Sequence, residues 1–226
     1  MAIDKSHTKP WTKGVIIFIC VAFVIGIGGF AFEGLLNSSQ VSQTAQNQTT
    51  QTGSANTSAT VDAIAKSYSA TIKTLETTTS ANDPAVQLVI AGKYFEWADA
   101  VLQAVAQGGG NTQAAQQQGF ALSAPYWKAA SAAYAKAFEK KSGDASSTTD
   151  YAISVFYGGD AAGAVKIAEE LVARDPRFAP VRFNLGIFYQ NAGDTAKAKA
   201  SFEEYLRLDP NGPSAAAAKD MLSQLK

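Results

Sequence analysis

The sequence is poor in the side chains that most often carry out chemistry. Its 226 residues include one cysteine, Cys20, and one histidine, His7. Catalytic triads and thiol–imidazole pairs need a histidine beside a nucleophile, and zinc sites usually need several His or Cys ligands. A phosphate-binding GxxxxGK loop is also absent from the sequence. We therefore expect a protein that is not an enzyme. Catalytic residues, metal sites and cofactors are not expected.

An excess of charge of one sign is missing as well. The sequence has 19 basic and 19 acidic residues, which gives a net charge of zero. A nucleic-acid partner is not expected, because such proteins concentrate positive charge on one face. A single cysteine cannot form a disulfide within the chain, so helix packing must hold the fold together.

A long uncharged run is present near the beginning of the chain. Residues 14–32 contain no charged side chain and would cross a hydrocarbon core of about 30 Å as a helix. Lys5, Lys9 and Lys13 precede the run, which places residues 1–13 on the cytoplasmic side as a short tail. The run predicts a transmembrane signal anchor, with a cleaved signal peptide as the alternative.

The segment that follows is polar over a considerable length. Residues 33–60 are rich in Ser, Thr, Gln and Asn and have few apolar side chains to bury, so they are predicted to form a disordered stalk. Apolar side chains then recur at helical spacing, which predicts an amphipathic helix over residues 61–78. The residues of this apolar face are Val61, Ile64, Tyr68, Ile72 and Leu75.

Two later parts of the chain repeat each other at an offset of 34 residues. The matched pairs are Gly159 and Gly193, Asp160 and Asp194, Ala164 and Ala198, Asp175 and Asp209, and Pro176 and Pro210. A period of this length is typical of stacked helix pairs. The repeated Glu169-Glu170 and Glu203-Glu204 pairs then belong to a solvated helix face rather than to a catalytic site.

The last copy resembles a tetratricopeptide repeat (TPR) on seven residues. These are Leu185, Gly186 and Tyr189 on its first helix, Ala198, Phe202 and Tyr205 on its second, and Pro210 at its end. The aromatic residue usual near the start is replaced by Arg182. The resemblance implies an all-α solenoid of about three repeats, with TPR units at 145–178 and 179–212 and a capping helix over 213–226.

A first, interrupted helix pair is predicted at 84–144. Asn82, Asp83 and Pro84 suit the start of its first helix, and Gly92 stands where Gly186 stands in the last copy. The second helix is expected to begin near Ser123, which leaves an insertion at about 104–122. The alternative is that this pair is not a true TPR.

The resemblance also implies a concave groove that binds protein. The groove positions of the three copies are Val89, Lys93, Glu96 and Trp97; Thr149, Ile153, Phe156 and Tyr157; and Phe183, Ile187, Gln190 and Asn191. Apolar residues at 153 and 187 favour an apolar or helical partner segment over an acidic tail. The alternative is that the helix at 61–77 fills the groove.

Together these features predict a membrane-anchored TPR scaffold or adaptor of bacterial type. Its repeats would lie at the outer face of the cytoplasmic membrane, with the N-terminus inside. Proteins that resemble this layout serve in secretion, envelope assembly, cell division and cytochrome maturation. The alternatives are a permanent structural subunit of a membrane complex, for which a large exposed apolar area is expected, and an accessory that presents substrate to a membrane enzyme.

Overall fold

The computed structural model describes residues 50–109 and 112–225, and in these ranges the chain is a series of helices with short connections and no strand. The helices are α1 (Thr50–Glu76), α2 (Pro84–Gly109), α3 (Gln113–Phe138), α4 (Ala145–Tyr157), α5 (Ala161–Arg174), α6 (Ala179–Asn191), α7 (Thr195–Leu208) and α8 (Ala215–Gln224). Each helix packs against its neighbour in the chain, and α4 also contacts α6. The all-α class predicted from the sequence is confirmed.

The predicted tail and transmembrane segment, together with the stalk as far as residue 49, lie outside the described residues. Nowhere in the described ranges is a helix both long enough and apolar enough to span a bilayer.

The turns inside the two repeats are built in the same way. Gly159 and Gly193 have φ angles of +103° and +78°, a region that glycine enters without steric cost. The next residue caps the second helix of each pair. Asp160 accepts a hydrogen bond from the Gly163 N–H at 2.8 Å, and Asp194 accepts one from the Lys197 N–H at 3.0 Å. The 34-residue offset therefore reflects one backbone structure used twice.

Helices α6 and α7 approach closely at Gly186. A Cβ atom at this position would lie 2.6 Å from Cε1 of the Phe202 ring, and Phe202 is fully buried. Only a residue without a side chain allows this ring to lie against the α6 backbone. Gly186 and Phe202, two of the seven residues that carry the TPR resemblance, thus meet at the contact between the helices of the last repeat.

The first pair, α2 and α3, is built differently. A Cβ atom at Gly92 would meet no atom within 4 Å, so Gly92 does not mark a close approach of helices as Gly186 does. The close approach lies instead at Gly119, whose added Cβ would be 3.2 Å from Cδ2 of Leu102. The equivalence of Gly92 and Gly186 that the sequence suggests is therefore wrong.

The predicted insertion at 104–122 is mostly helical. It lengthens both helices of the first pair, which have 26 residues each, against 13 and 14 residues in the repeat that follows. The second helix begins at Gln113 rather than near Ser123, and it runs through Pro125. A proline is common in the first turn of a helix, where its missing N–H costs nothing, and this preference favours a start near Ser123.

The helix before the first pair is longer than predicted. It begins at Thr50 rather than at residue 61, so the boundary of the stalk at residue 60 is wrong. Once packed residues have nucleated a helix, each added residue contributes one more hydrogen bond, which lets polar residues extend it. The apolar face predicted for this helix packs on α2, with Ile72 buried beside Trp97 and Val101.

Five aromatic rings connect the first pair to the repeats, and we call them the aromatic spine. In order of contact they are Phe95, Trp127, Tyr157, Phe156 and Phe188, with successive ring centroids 4.9, 5.3, 5.2 and 4.6 Å apart. Rings at these distances attract one another beyond the burial of their surface. The spine joins α2, α3, α4 and α6.

Replacing the two glycines by alanine tests these packing assignments. Gly186→Ala should lower the free energy of unfolding by about 1–3 kcal/mol, because the new methyl group collides with the buried Phe202 ring. Gly92→Ala, the matched control, should raise it by about 0.5–1 kcal/mol, because alanine favours a helix and has room here. Urea unfolding of the full chain in detergent micelles measures both changes. Equal effects of the two substitutions would contradict the assignments.

Candidate protein-binding surfaces

Half of the twelve groove positions given by the TPR resemblance are buried. Ten of the twelve, all except Lys93 and Glu96, are the predicted protein-contacting residues, and six of these ten are buried: Trp97, Thr149, Ile153, Phe156, Phe183 and Ile187. Tyr157 and Gln190 are half-buried, and only Val89 and Asn191 are exposed. The ten residues therefore do not form one open groove.

In the second copy, the aromatic spine explains the burial. The Phe156 ring stacks on Phe188 of the next repeat, and the Tyr157 ring contacts both Trp127 and Phe120 of the first pair. These side chains hold neighbouring units together. Their spacing in the sequence is the same whether they face a partner or the adjacent helix pair.

In the third copy, the groove residue Phe183 packs against the second helix of its own pair. The Phe183 ring lies 5.7 Å from the Phe202 ring and 5.5 Å from the Tyr205 ring, and Phe183 is only 1% exposed. Ile187 belongs to the same hydrophobic cluster, which includes Met221 of α8. The C-terminal helix thus shares the core of the last repeat, as expected of a cap.

In the first copy, α1 covers the candidate residue Trp97. The indole of Trp97 lies 4.0 Å from the ring of Tyr126, and the rings of Tyr68 and Tyr94 lie 6.1 and 6.2 Å away. Tyr68 belongs to α1. The suggestion that the helix at 61–77 fills the groove therefore holds for the position of Trp97. For Ile153 and Ile187, by contrast, the core of the repeats itself supplies the burial.

Little apolar surface is left for a partner in the described ranges. Val89 on α2 and Leu122 on α3 are the exposed large hydrophobic residues there, with exposed fractions of 49% and 39%. Asn191, at the end of α6, adds an exposed polar position. Among the predicted protein-contacting residues, the exposed ones are thus Val89 on α2 and Asn191 at the end of α6.

Two half-buried carboxyl groups, one on α2 and one on α4, have raised pKa values. Burial raises the pKa of Asp99 to about 7, although a hydrogen bond from the Gln103 amide at 2.9 Å works in the opposite direction. Burial, with the nearby Asp144 carboxylate, raises the pKa of Asp150 to about 7. In residues 50–109 and 112–225 no three His, Cys, Asp or Glu side chains group closely enough to hold a metal ion.

Comparison with known proteins supports the repeat assignment at the C-terminal end. Residues 156–222 match a family model described as "Tetratricopeptide repeat". The matched segment begins at the spine residue Phe156 and extends into α8. A search of curated proteins finds no significant match to the chain. Similarity to the TPR family thus rests on α5, α6, α7 and most of α8.

Asp99→Asn should remove part of the pH dependence of folding stability. The folded protein keeps a proton on Asp99 up to about pH 7, whereas a free aspartate loses it near 3.8. This contribution is therefore complete below about pH 4 and is lost as the pH rises toward 7, at up to about 1.4 kcal/mol per unit of pKa difference. Thermal unfolding of the full chain at pH 5 and pH 8 measures the effect.

The exposed Asp62→Asn substitution is the charge-matched control, and it should follow the pH dependence of the wild type. If Asp99→Asn also follows the wild type between pH 5 and pH 8, Asp99 does not hold its proton in the folded protein.

Proposed function

We propose that the protein is a non-enzymatic scaffold or adaptor that binds other proteins through its helical repeats. The observation that carries this proposal is the pair of repeats at α4–α7, whose turns and helix caps follow one plan. From residue 156 onward these repeats match the TPR family. TPR units are built to stack into an extended surface rather than to enclose a reaction. The scarcity of His and Cys also supports a role without catalysis.

The proposed location is the outer face of a bacterial cytoplasmic membrane. Residues 14–32 would supply a single-pass anchor, because they carry no charge and follow three lysines. The polar residues after the anchor would allow the helical domain to extend away from the membrane surface. This part of the proposal rests on the sequence pattern alone.

The exposed surface favours a transient adaptor over the structural-subunit alternative. A permanent subunit is expected to expose a large apolar face when it stands alone. In the described part of the chain only Val89 and Leu122 are large, apolar and exposed, and they belong to different helices. We therefore propose a partner that contacts Val89 and the Gln190–Asn191 end of α6 over a modest area.

Site-specific crosslinking in cells tests the proposal. A photoreactive amino acid at Val89 or Asn191 in the full chain should give an adduct with the same polypeptide, identified by mass spectrometry. The same amino acid at Glu170, on the exposed face of α5, is the control and should not give this adduct. Val89→Asp should reduce the adduct formed at position 191, because a charge is costly in a partly apolar interface.

The same cells test the location. The full chain should remain with the membrane fraction after a high-salt wash, whereas a chain without residues 14–32 should be soluble and should lose the adduct. Adducts that are equally frequent at positions 89, 170 and 191 would contradict the scaffold role. A salt-extractable full chain would contradict the anchor.

A further inference from the structure

The described series of helices is covered differently at its two ends. Helix α8 covers the C-terminal end, and four of its ten residues are buried: Ala215, Ala217, Ala218 and Met221. Helix α1 covers the other end by packing on α2. Of residues 58–76 of α1, only Ile72 is buried. The cover at α2 is therefore the looser of the two.

The contacts that hold α1 come from one neighbouring helix. Among the described helices, α1 packs extensively against α2 alone. The Tyr94 hydroxyl donates a hydrogen bond to the Glu76 carboxylate at 3.1 Å, at an exposed position where water competes for both groups. No ion pair within residues 50–109 and 112–225 involves α1. Docking of α1 thus depends on an apolar face that, apart from Ile72, is half-buried.

The contact between α1 and α2 also leaves a polar group unmatched. The indole of Trp97 is buried in a cluster with Ile72 of α1, and its Nε1–H has no hydrogen-bond partner among the described residues. The buried indole of Trp127, by contrast, donates to Oγ of Ser123 at 3.2 Å. A buried donor without a partner lowers stability. The docked position of α1 therefore lacks a bond that a fully matched interface would have.

Undocking of α1 would uncover an apolar strip on α2, which we call the α2 strip. Its residues recur at helical spacing and lie along one face of the helix: Ile90, Tyr94, Trp97 and Val101. Ile72 clusters with Trp97 and Val101, and Leu75 packs against the cluster that contains Ile90. The strip would then be the open end of the helix series, where a further helix can stack.

The residues of α1 show what kind of segment fits the α2 strip. Val61, Ile64, Tyr68, Ile72 and Leu75 recur every three or four residues, and the positions between them are mostly exposed. A segment that fits is thus an amphipathic helix with this spacing of apolar residues. A helix at the edge of a fold opens at a smaller free-energy cost than the core, so α1 is well placed to undock.

We propose that α1 is a releasable cover and that the α2 strip binds an amphipathic helix of a partner protein in its place. Binding is then limited by the fraction of molecules in which α1 is undocked. This inference goes beyond the proposed function, since it concerns a covered surface rather than the exposed residues Val89 and Asn191. It is tested on the purified chain, so its failure can be told apart from failure of the crosslinking experiment.

Hydrogen exchange of the ¹⁵N-labelled full chain in micelles measures the release of α1. Amides of residues 61–76 should have protection factors at least about tenfold lower than those of α6, because a peripheral helix opens without unfolding of the core. Protection of these amides equal to that of α6 would show that α1 opens only when the whole domain unfolds, and it would overturn the proposal.

A synthetic peptide with the sequence of residues 58–78 is the probe for binding. The chain has three tryptophans, so the indole N–H signals of Trp97 and Trp127 can be assigned by substitution. Saturable binding should shift the Trp97 signal and leave the Trp127 signal in place. A peptide of the same composition in scrambled order should shift neither.

Substitutions in α1 test whether it competes with the peptide. Ile72→Asp in the full chain should strengthen peptide binding at least about tenfold, because a charge in the apolar contact raises the fraction of undocked molecules. The matched control is Thr71→Asp, which adds the same charge at an exposed neighbouring position and should leave the affinity unchanged. Ile64→Asp provides the same test if Ile72→Asp does not fold.

Three results of these experiments would overturn the inference. One is equal peptide affinity in the wild type, Ile72→Asp and Ile64→Asp. Another is loss of the folded Trp127 signal in both variants, which would show that α1 is part of the core. The third is a wild-type dimer in analytical ultracentrifugation that Ile72→Asp dissociates, because α1 of a second copy would then occupy the α2 strip.

Discussion

The stacking of Phe156 on Phe188 is the contact on which the arrangement of the repeats depends. It joins the first helices of two successive pairs, α4 and α6, with ring centroids 4.6 Å apart. From Phe156 the aromatic spine continues through Tyr157 to Trp127, so the long first pair is tied to the same core. A helix pair cannot bury its own apolar face, and the spine is the means by which these pairs bury one another's.

This use of aromatic residues limits what the protein can offer to a partner. Positions 153, 156, 183 and 187 would be available for binding if the concave face were open, but here they form the core. Binding must then depend on positions at the margins, such as Val89 and Asn191, or on places where the packing leaves a group unsatisfied.

The sequence predicts well those features that depend on a few neighbouring residues, such as turns and helix caps. The turn glycines at 159 and 193 and the capping aspartates at 160 and 194 interact only with residues a few positions away in the chain. A match between sequences 34 residues apart therefore predicts the same turn and cap in both repeats. Exposure is different, because it depends on which helix lies opposite. Phe183 and Val89 are equivalent in the TPR register, yet the first is 1% exposed and the second 49%. Gly92 shows the same limit, because it aligns with Gly186 but a Cβ atom added there would meet no atom within 4 Å.

Truncation of Phe156 tests most directly whether the predicted groove is core. Phe156→Ala should lower the free energy of unfolding by about 3–5 kcal/mol, as expected for a buried phenylalanine. The melting temperature of the full chain in micelles should then fall by roughly 10 °C. Val89→Ala should change the free energy by less than about 0.5 kcal/mol, because that side chain is exposed. A loss for Phe156→Ala as small as that for Val89→Ala would show that the ring faces an open groove, and the account of the spine would be wrong.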